Sequence, residues 1–137
     1  MKPITELEEI IAWRKARELL QEVAIEVSKL PLKRDFAMSD QLRRASSSVM
    51  ANIAEGFERG RPTEFRQFLS IAKGSCGELR SHFYAIHDFG YLPEPRFSQL
   101  LDQAREVGRI LGGLRSAVDR KCRSQQLPRS KREKGPS

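Results

Sequence analysis

The sequence predicts an all-α protein, an antiparallel up-down-up-down four-helix bundle. Three observations carry this expectation. Apolar residues recur at three- and four-residue spacing in four separate segments. No stretch alternates apolar and polar residues between turn signals, so no strand is predicted. The linkers are short, roughly 31–38, 58–61 and 91–95, and short links favour antiparallel neighbours.

The first segment carries Trp13, Ala16, Leu20, Val23, Val27 and Leu30, which keeps one face apolar until Pro31 stops it. The second carries Leu42, Ala45, Val49, Ile53 and Gly56. Ser39 just before it is the expected cap, because its hydroxyl can accept from a free first-turn N–H. The third carries Phe65, Phe68, Leu69, Ala72, Cys76, Leu79, Phe83 and Ile86. Pro62 and Thr63 suit its start, where a missing N–H costs little, and Gly90 suits its end. The fourth carries Phe97, Leu100, Leu101, Ala104, Val107, Leu111, Leu114 and Val118, and fades into a basic segment. Residues 1–119 are therefore read as one bundle domain and 120–137 as a basic tail. From about Gln125 the tail holds two Pro, one Gly and few apolar groups, so no fixed structure is expected there.

Composition narrows the function. With 39% apolar residues the chain can close a core, and 31% charged residues exclude a membrane-embedded one. No apolar run approaches the ~20 residues of a membrane-spanning helix. The first residues hold no apolar stretch of the signal-peptide kind. Cys76 and Cys122 alone make no disulfide framework, and a cytoplasmic location is expected. The net charge is +7. Residues 120–137 hold seven bases (Arg120, Lys121, Arg123, Arg129, Lys131, Arg132 and Lys134) and one acid, Glu133, a net of +6. The body is thus near neutral. A basic arm on a neutral body points to an anionic partner, or else to a solvated tail that keeps the chain soluble.

Two helical faces are unusual. On the second segment Arg44, Ser48, Asn52 and Glu55 form a polar stripe beside the core stripe. Groups at that depth need partners, so a side-chain network is expected, with Arg44 and Glu55 pairing across to another helix or another subunit. On the third segment Ser70, Gly74, Gly77 and Ser81 share the face opposite the core. A helical Gly costs about 1 kcal/mol relative to Ala, so a small face of this kind suggests close approach of another subunit. Its alternative is simple tolerance of glycine in a well-packed helix.

Signals for chemistry are sparse. His82 and His87 are five apart, off the three- or four-residue spacing that puts two ligands on one face. No Glu-x-x-His pair occurs, and Gly74-Ser75-Cys76-Gly77 lacks the spacing and Lys of a phosphate loop. No catalytic residue, metal or cofactor is predicted, and the chain is expected not to be an enzyme.

Arg44-Ala45, Asn52-Ile53-Ala54-Glu55-Gly56, Arg59, Phe65, Phe68-Leu69, Ile71-Ala72-Lys73-Gly74-Ser75, Glu78-Leu79 and Gly90-Tyr91-Leu92 resemble the four helix bundle protein family. It is also called the 23S rRNA intervening sequence protein family. Ile10 and Trp13-Arg14-Lys15-Ala16 resemble its opening, and the likeness spans about residues 7–118. Leu7 stands where the family usually has Phe, and Gly77 where a larger residue is more common. The resemblance implies a bundle that assembles into a homopentameric ring, with no enzymatic activity. It also implies kinship with the accessory variability determinants of diversity-generating retroelements, which bind a reverse transcriptase and its RNA. The characteristic residues would be Arg44, Asn52, Glu55, Gly74, Ser75 and Glu78.

The function expected is therefore that of a non-enzymatic, nucleic-acid-associated oligomer, with RNA preferred over DNA as partner. A ring would gather several tails into one multivalent surface. The expected contacts are Arg120, Lys121, Arg123, Arg129, Lys131, Arg132 and Lys134, with Arg59, Arg61 and Arg66 as a second patch. Ser75 and Glu78 are expected to join the polar network of Arg44, Ser48, Asn52 and Glu55. The alternative is a protein-interaction ring, docking for instance a reverse transcriptase, without direct nucleic-acid contact. A ligand-binding bundle would instead need a pocket lined by Asn52, Glu55, Ser75 and Glu78.

Overall fold

The computed structural model describes residues 3–125. Among them lie four long helices and no strand: α1 (Ile11–Val27), α2 (Phe36–Arg59), α3 (Pro62–Asp88) and α4 (Arg96–Gln125). Short 3-10 turns at Leu7–Glu9 and Leu32–Arg34 precede α1 and α2. α1 packs on α2, α2 on α3, α3 on α4, and α4 back on α1, so helices adjacent in sequence are adjacent in space. No described helix is long and apolar enough to cross a membrane.

α1 buries Ala12, Ala16, Leu19, Val23 and Val27. The expected stripe was rotated slightly: Trp13 and Leu20 are half-buried, and Leu30 lies past the helix end and is 62% exposed. Glu26 shares the buried face because Arg96 of α4 reaches it at 3.0 Å and Lys29 at 2.8 Å. Arg96 also grips Glu22, so one guanidinium ties α4 to two turns of α1.

α2 starts three residues before the expected cap. Asp35 accepts from the Met38 N–H at 3.1 Å and takes the capping role. Ser39 is instead buried inside the helix, where its hydroxyl donates to the Leu32 carbonyl at 2.9 Å. Both residue types cap well, and the earlier one won because the intervening Phe36-Ala37-Met38 tolerates helix. The α2 stripe of Leu42, Ala45, Val49, Ile53 and Gly56 is buried as expected. Gly56 is required by proximity: a Cβ there would lie 2.6 Å from Phe68 Cβ. That contact sets how closely α2 and α3 approach near the turn between them. Gly60 closes α2 in the left-handed region at φ 76°.

α3 opens with Pro62 in its first turn and buries Leu69, Ala72, Cys76, Leu79, Phe83 and Ile86, while Phe65 and Phe68 are half-buried. It ends in a Schellman arrangement around Gly90 (φ 81°). There Tyr91 N–H donates to the Ile86 carbonyl and Gly90 N–H to the His87 carbonyl, each at 2.9 Å. The Tyr91 hydroxyl then donates to Asp35 at 3.0 Å, joining the α1–α2 and α3–α4 links at one end of the bundle.

α4 buries Phe97, Leu100, Leu101, Ala104, Val107, Leu111 and Val118, and leaves Leu114 half-buried. It does not fade at residue 119. Cys122 is fully buried and the helix runs to Gln125, so Arg120, Lys121 and Arg123 stand on an ordered helix rather than in a loose tail. Every deeply buried side-chain N or O among the described residues has a hydrogen-bond partner.

Candidate nucleic-acid interface

Arg59, Arg61 and Arg66 of the second expected patch stand at the same end of the bundle as Arg120, Lys121 and Arg123, the described members of the first. α3 and α4 run antiparallel, and Arg66 near the start of α3 pairs with Asp119 near the end of α4 at 2.8 Å. Asp119 also holds Arg123, one turn further on. These two hydrogen bonds, Arg66's the larger influence, keep the Asp119 carboxyl below its ordinary value of 3.8. Arg61 in the α2–α3 turn and Lys121 on α4 line one cleft of about 440 Å³ with an apolar wall that includes Ile10, Phe57, Phe65 and Leu114.

The cations at this end differ in availability. Arg59 is engaged by Glu55 at 2.8 Å and Glu64 at 3.8 Å, and stacks over Phe68. Arg66 and Arg123 share one carboxylate. Arg61, Arg120 and Lys121 are exposed and have no acidic partner among the described residues. Arg129, Lys131, Arg132 and Lys134 lie outside the described residues.

The expected polar network exists in a smaller form. Ser48 of α2 and Ser75 of α3 share a hydrogen bond at 2.8 Å, and Asn52 Nδ2 donates to the Ser48 carbonyl at 2.8 Å and to its hydroxyl at 3.0 Å. This ties α2 to α3 beside the core. Arg44, Glu55 and Glu78 are not part of it. Arg44 is bound to Asp40 at 2.9 Å, Glu55 to Arg59, and Glu78 to His82 at 3.3 Å, each one turn away on its own helix. Neighbours four residues apart were available in the sequence and satisfied these charges locally.

The small face of α3 divides. Ser70 accepts from Arg115 of α4 at 3.4 Å, and Gly77 lines a groove between α3 and α4. Gly74 and Ser81 are open, and a Cβ at Gly74 would meet nothing within 4 Å. The groove, about 310 Å³, is edged by Lys73, Arg80, Arg105 and Arg109. Sequence reasoning missed these four, because only the register of α3 against α4 brings them together. Neither cleft is lined by Asn52, Glu55, Ser75 or Glu78. His87 stacks on Phe97 at 4.0 Å and its Nδ1 lies 2.7 Å from the Leu92 carbonyl, a packing role. No cluster of three or more metal-ligating side chains occurs among the described residues.

Comparison with known proteins agrees with the fold. A crystal structure of a protein of unknown function from the S23 ribosomal protein family of Bacteroides thetaiotaomicron is similar, with a TM-score of 0.71 and 20% identity. The match covers 77% of this chain and 96% of that one. No curated protein matches the chain. The profile described as 23S rRNA-intervening sequence protein matches residues 8–113, from the turn before α1 to just past the middle of α4. The chain therefore belongs to the 23S rRNA-intervening sequence protein family.

Proposed function

We propose that this protein is a non-enzymatic RNA-associated bundle that works as a homo-oligomer, a pentameric ring being the assembly the family resemblance implies. The observation that carries the reading is the convergence of the α2–α3 turn and the last turns of α4 at one end. That end presents Arg61, Arg120 and Lys121 to solvent, with Arg66 and Arg123 held in reserve on Asp119. The segment holding Arg129, Lys131, Arg132 and Lys134 continues from the same end of α4. Contacts of this kind are to phosphates, so binding should be salt-dependent and indifferent to sequence. The aromatic side chains lie largely against the core, which argues against base stacking as the source of affinity. Two buried free thiols suit a cytoplasmic setting.

The test uses the full chain, because deletion from residue 120 would remove the buried Cys122 and cut α4. Gel mobility shift with a structured RNA and a duplex DNA is run across a salt series. The native chain is compared with one carrying Gln at 129, 131, 132 and 134, and light scattering gives the mass. Steeply salt-dependent binding that prefers RNA and falls in the Gln variant supports the reading. No shift at low salt from a clean oligomer refutes it.

A second reading, a ring that docks a protein such as a reverse transcriptase, is favoured by the other end of the bundle. Leu30, Phe36 and Phe89 stand there 62%, 80% and 58% exposed. Phe36→Ser/Phe89→Ser would abolish partner capture under this reading and leave RNA binding untouched.

A further inference from the structure

We propose that the groove between α3 and α4 seats the phosphodiester backbone of a single nucleic-acid strand, with Lys73, Arg80, Arg105 and Arg109 as its contacts. This deepens the RNA reading and rests on it, but moves the seat of binding from the cationic end onto the flank of the bundle.

The four cations edge one concavity of about 310 Å³ that no carboxylate lines. Arg105 has a partner at its rim, Asp102 at 3.5 Å; Lys73, Arg80 and Arg109 have no ion pair among the described residues. Like charges gathered round a cleft repel, and their fields focus in it, so the arrangement favours an anion there. Lys73 and Arg80 also lie inward over the floor. The Lys73 ammonium is 3.8 Å from where a Gly112 Cβ would stand, and an Arg80 guanidinium nitrogen is 3.7 Å from that of Gly77.

The floor itself is the second observation. Gly77, Gly108 and Gly112 line it, and a Cβ at each would meet only ordinary contacts of 3.7 to 3.9 Å. Helix packing therefore does not demand glycine at these sites, in contrast to Gly56. Each costs about 1 kcal/mol relative to Ala in a helix interior. What glycine gains there is depth, a low floor between two rows of cations. Lys73 and Arg80 are seven residues apart and Arg105 and Arg109 four, so the rows extend about 10 Å along α3 and about 6 Å along α4. A single strand spaces its phosphates wider than the ~3.4 Å axial rise of a duplex, so that is room for about two successive phosphates. At about 310 Å³ the groove has space for a stretch of backbone and not for a duplex. No aromatic side chain lines it, so bases are left unread. Further along the same α3–α4 seam stand Arg115 and then the Arg66–Asp119 pair, which makes the groove continuous with the cationic end.

The experiment measures fluorescence anisotropy of labelled oligouridylate and oligothymidylate of equal length across a salt series, using full-length chains. Lys73→Gln/Arg109→Gln is compared with the control pair Arg34→Gln/Arg43→Gln, which removes the same charge from the start of α2 and the turn before it. A third chain carries Gln at 129, 131, 132 and 134, and thermal melts confirm folding. The groove pair should weaken binding of both strands about ten-fold or more. It should also flatten the salt slope by about 1.4, two contacts at about 0.7 each on a single strand. The control pair should change affinity less than about three-fold. Equal losses in the groove and control pairs would overturn the proposal, leaving net charge as the cause. A loss confined to the third chain would overturn the groove while the RNA reading stands. No binding of either strand by the native chain would overturn both. Ribose and deoxyribose strands bound equally identify the phosphodiester alone as the ligand; a ribose preference adds a sugar contact to the same seat.

Discussion

Asp119 acts as a restraint on the cationic end, and Asp119→Asn should release it. In the native chain one carboxylate engages both Arg66, at 2.8 Å, and Arg123. Removing its charge frees two guanidiniums at the end where Arg61 and Lys121 already stand. On single-stranded RNA each added phosphate contact steepens the log–log salt dependence by about 0.7, so the slope should grow by about 1.4. Taking no net gain at 1 M salt, affinity near 0.1 M should rise by up to about 25-fold. The same pair ties α3 to α4, but both side chains are about a third exposed, so water and salt screen most of its worth to the fold. A small fall in Tm is expected alongside the large gain in binding. The assay is anisotropy with a labelled single-stranded RNA between about 50 and about 200 mM salt. Asp40→Asn is the control, since it frees Arg44 on α2 and changes net charge equally. A slope that does not steepen for Asp119→Asn, or that steepens as much for Asp40→Asn, would show that the convergence of cations at this end has no part in binding.

Other outcomes can be checked by melting and titration. Gly56→Ala should destabilise by about 1–3 kcal/mol in urea unfolding, because its methyl meets Phe68 Cβ, an atom with no room to rotate away. Gly113→Ala should do the reverse, stabilising by about 0.5–1 kcal/mol, since nothing lies within 4 Å of the new atom. Glu26→Ala should cost about 2 kcal/mol, through the lost charge-assisted bonds to Lys29 and Arg96, and urea unfolding of the variant should bear that out. The Asp119 carboxyl is depressed in the folded state, so the unfolded chain takes up its proton first as pH falls. Its contribution is whole above the ordinary value of 3.8 and is lost as pH drops through the folded one. Melts of the native and Asp119→Asn proteins should therefore differ at neutral pH and converge in acid.

The helices were legible because their apolar spacing is regular and their neighbours share it. The α2 stripe from Leu42 to Gly56 and the α3 stripe from Leu69 to Ile86 needed no tertiary information. Glu26 was not legible: an acid among apolar residues reads as solvent-facing until Arg96, seventy residues away, is placed beside it. Asp35 and Ser39 are both sound caps, and the structure decides between them by carrying helix through Phe36-Ala37-Met38, with Met38 packed against the core. Arg44 and Glu55 could have been assigned from the sequence, since Asp40 and Arg59 stand four residues away in each case. The Lys73–Arg109 groove could not, because four cations on two helices become one feature only after the helices are set in register.

Cys122 and Cys76 give this chain a pair of internal clocks. Both thiols are free and buried, yet they are sealed by different events. Cys76 lies in the middle of α3 with its sulfur 3.0 Å from the Ala104 carbonyl, and burial pushes its thiol above the ordinary range. Its sulfur lies just under the floor of the α3–α4 groove, 1% exposed, so a thiol reagent gains access to it as α3 and α4 part. Cys122 lies three residues from the end of α4, so unwinding of the last turn is enough. The two labelling rates thus time fraying and global opening separately in one unmodified molecule. A strand lodged at the cationic end would slow the first clock, and a strand in the groove, clasping α3 to α4, would slow the second.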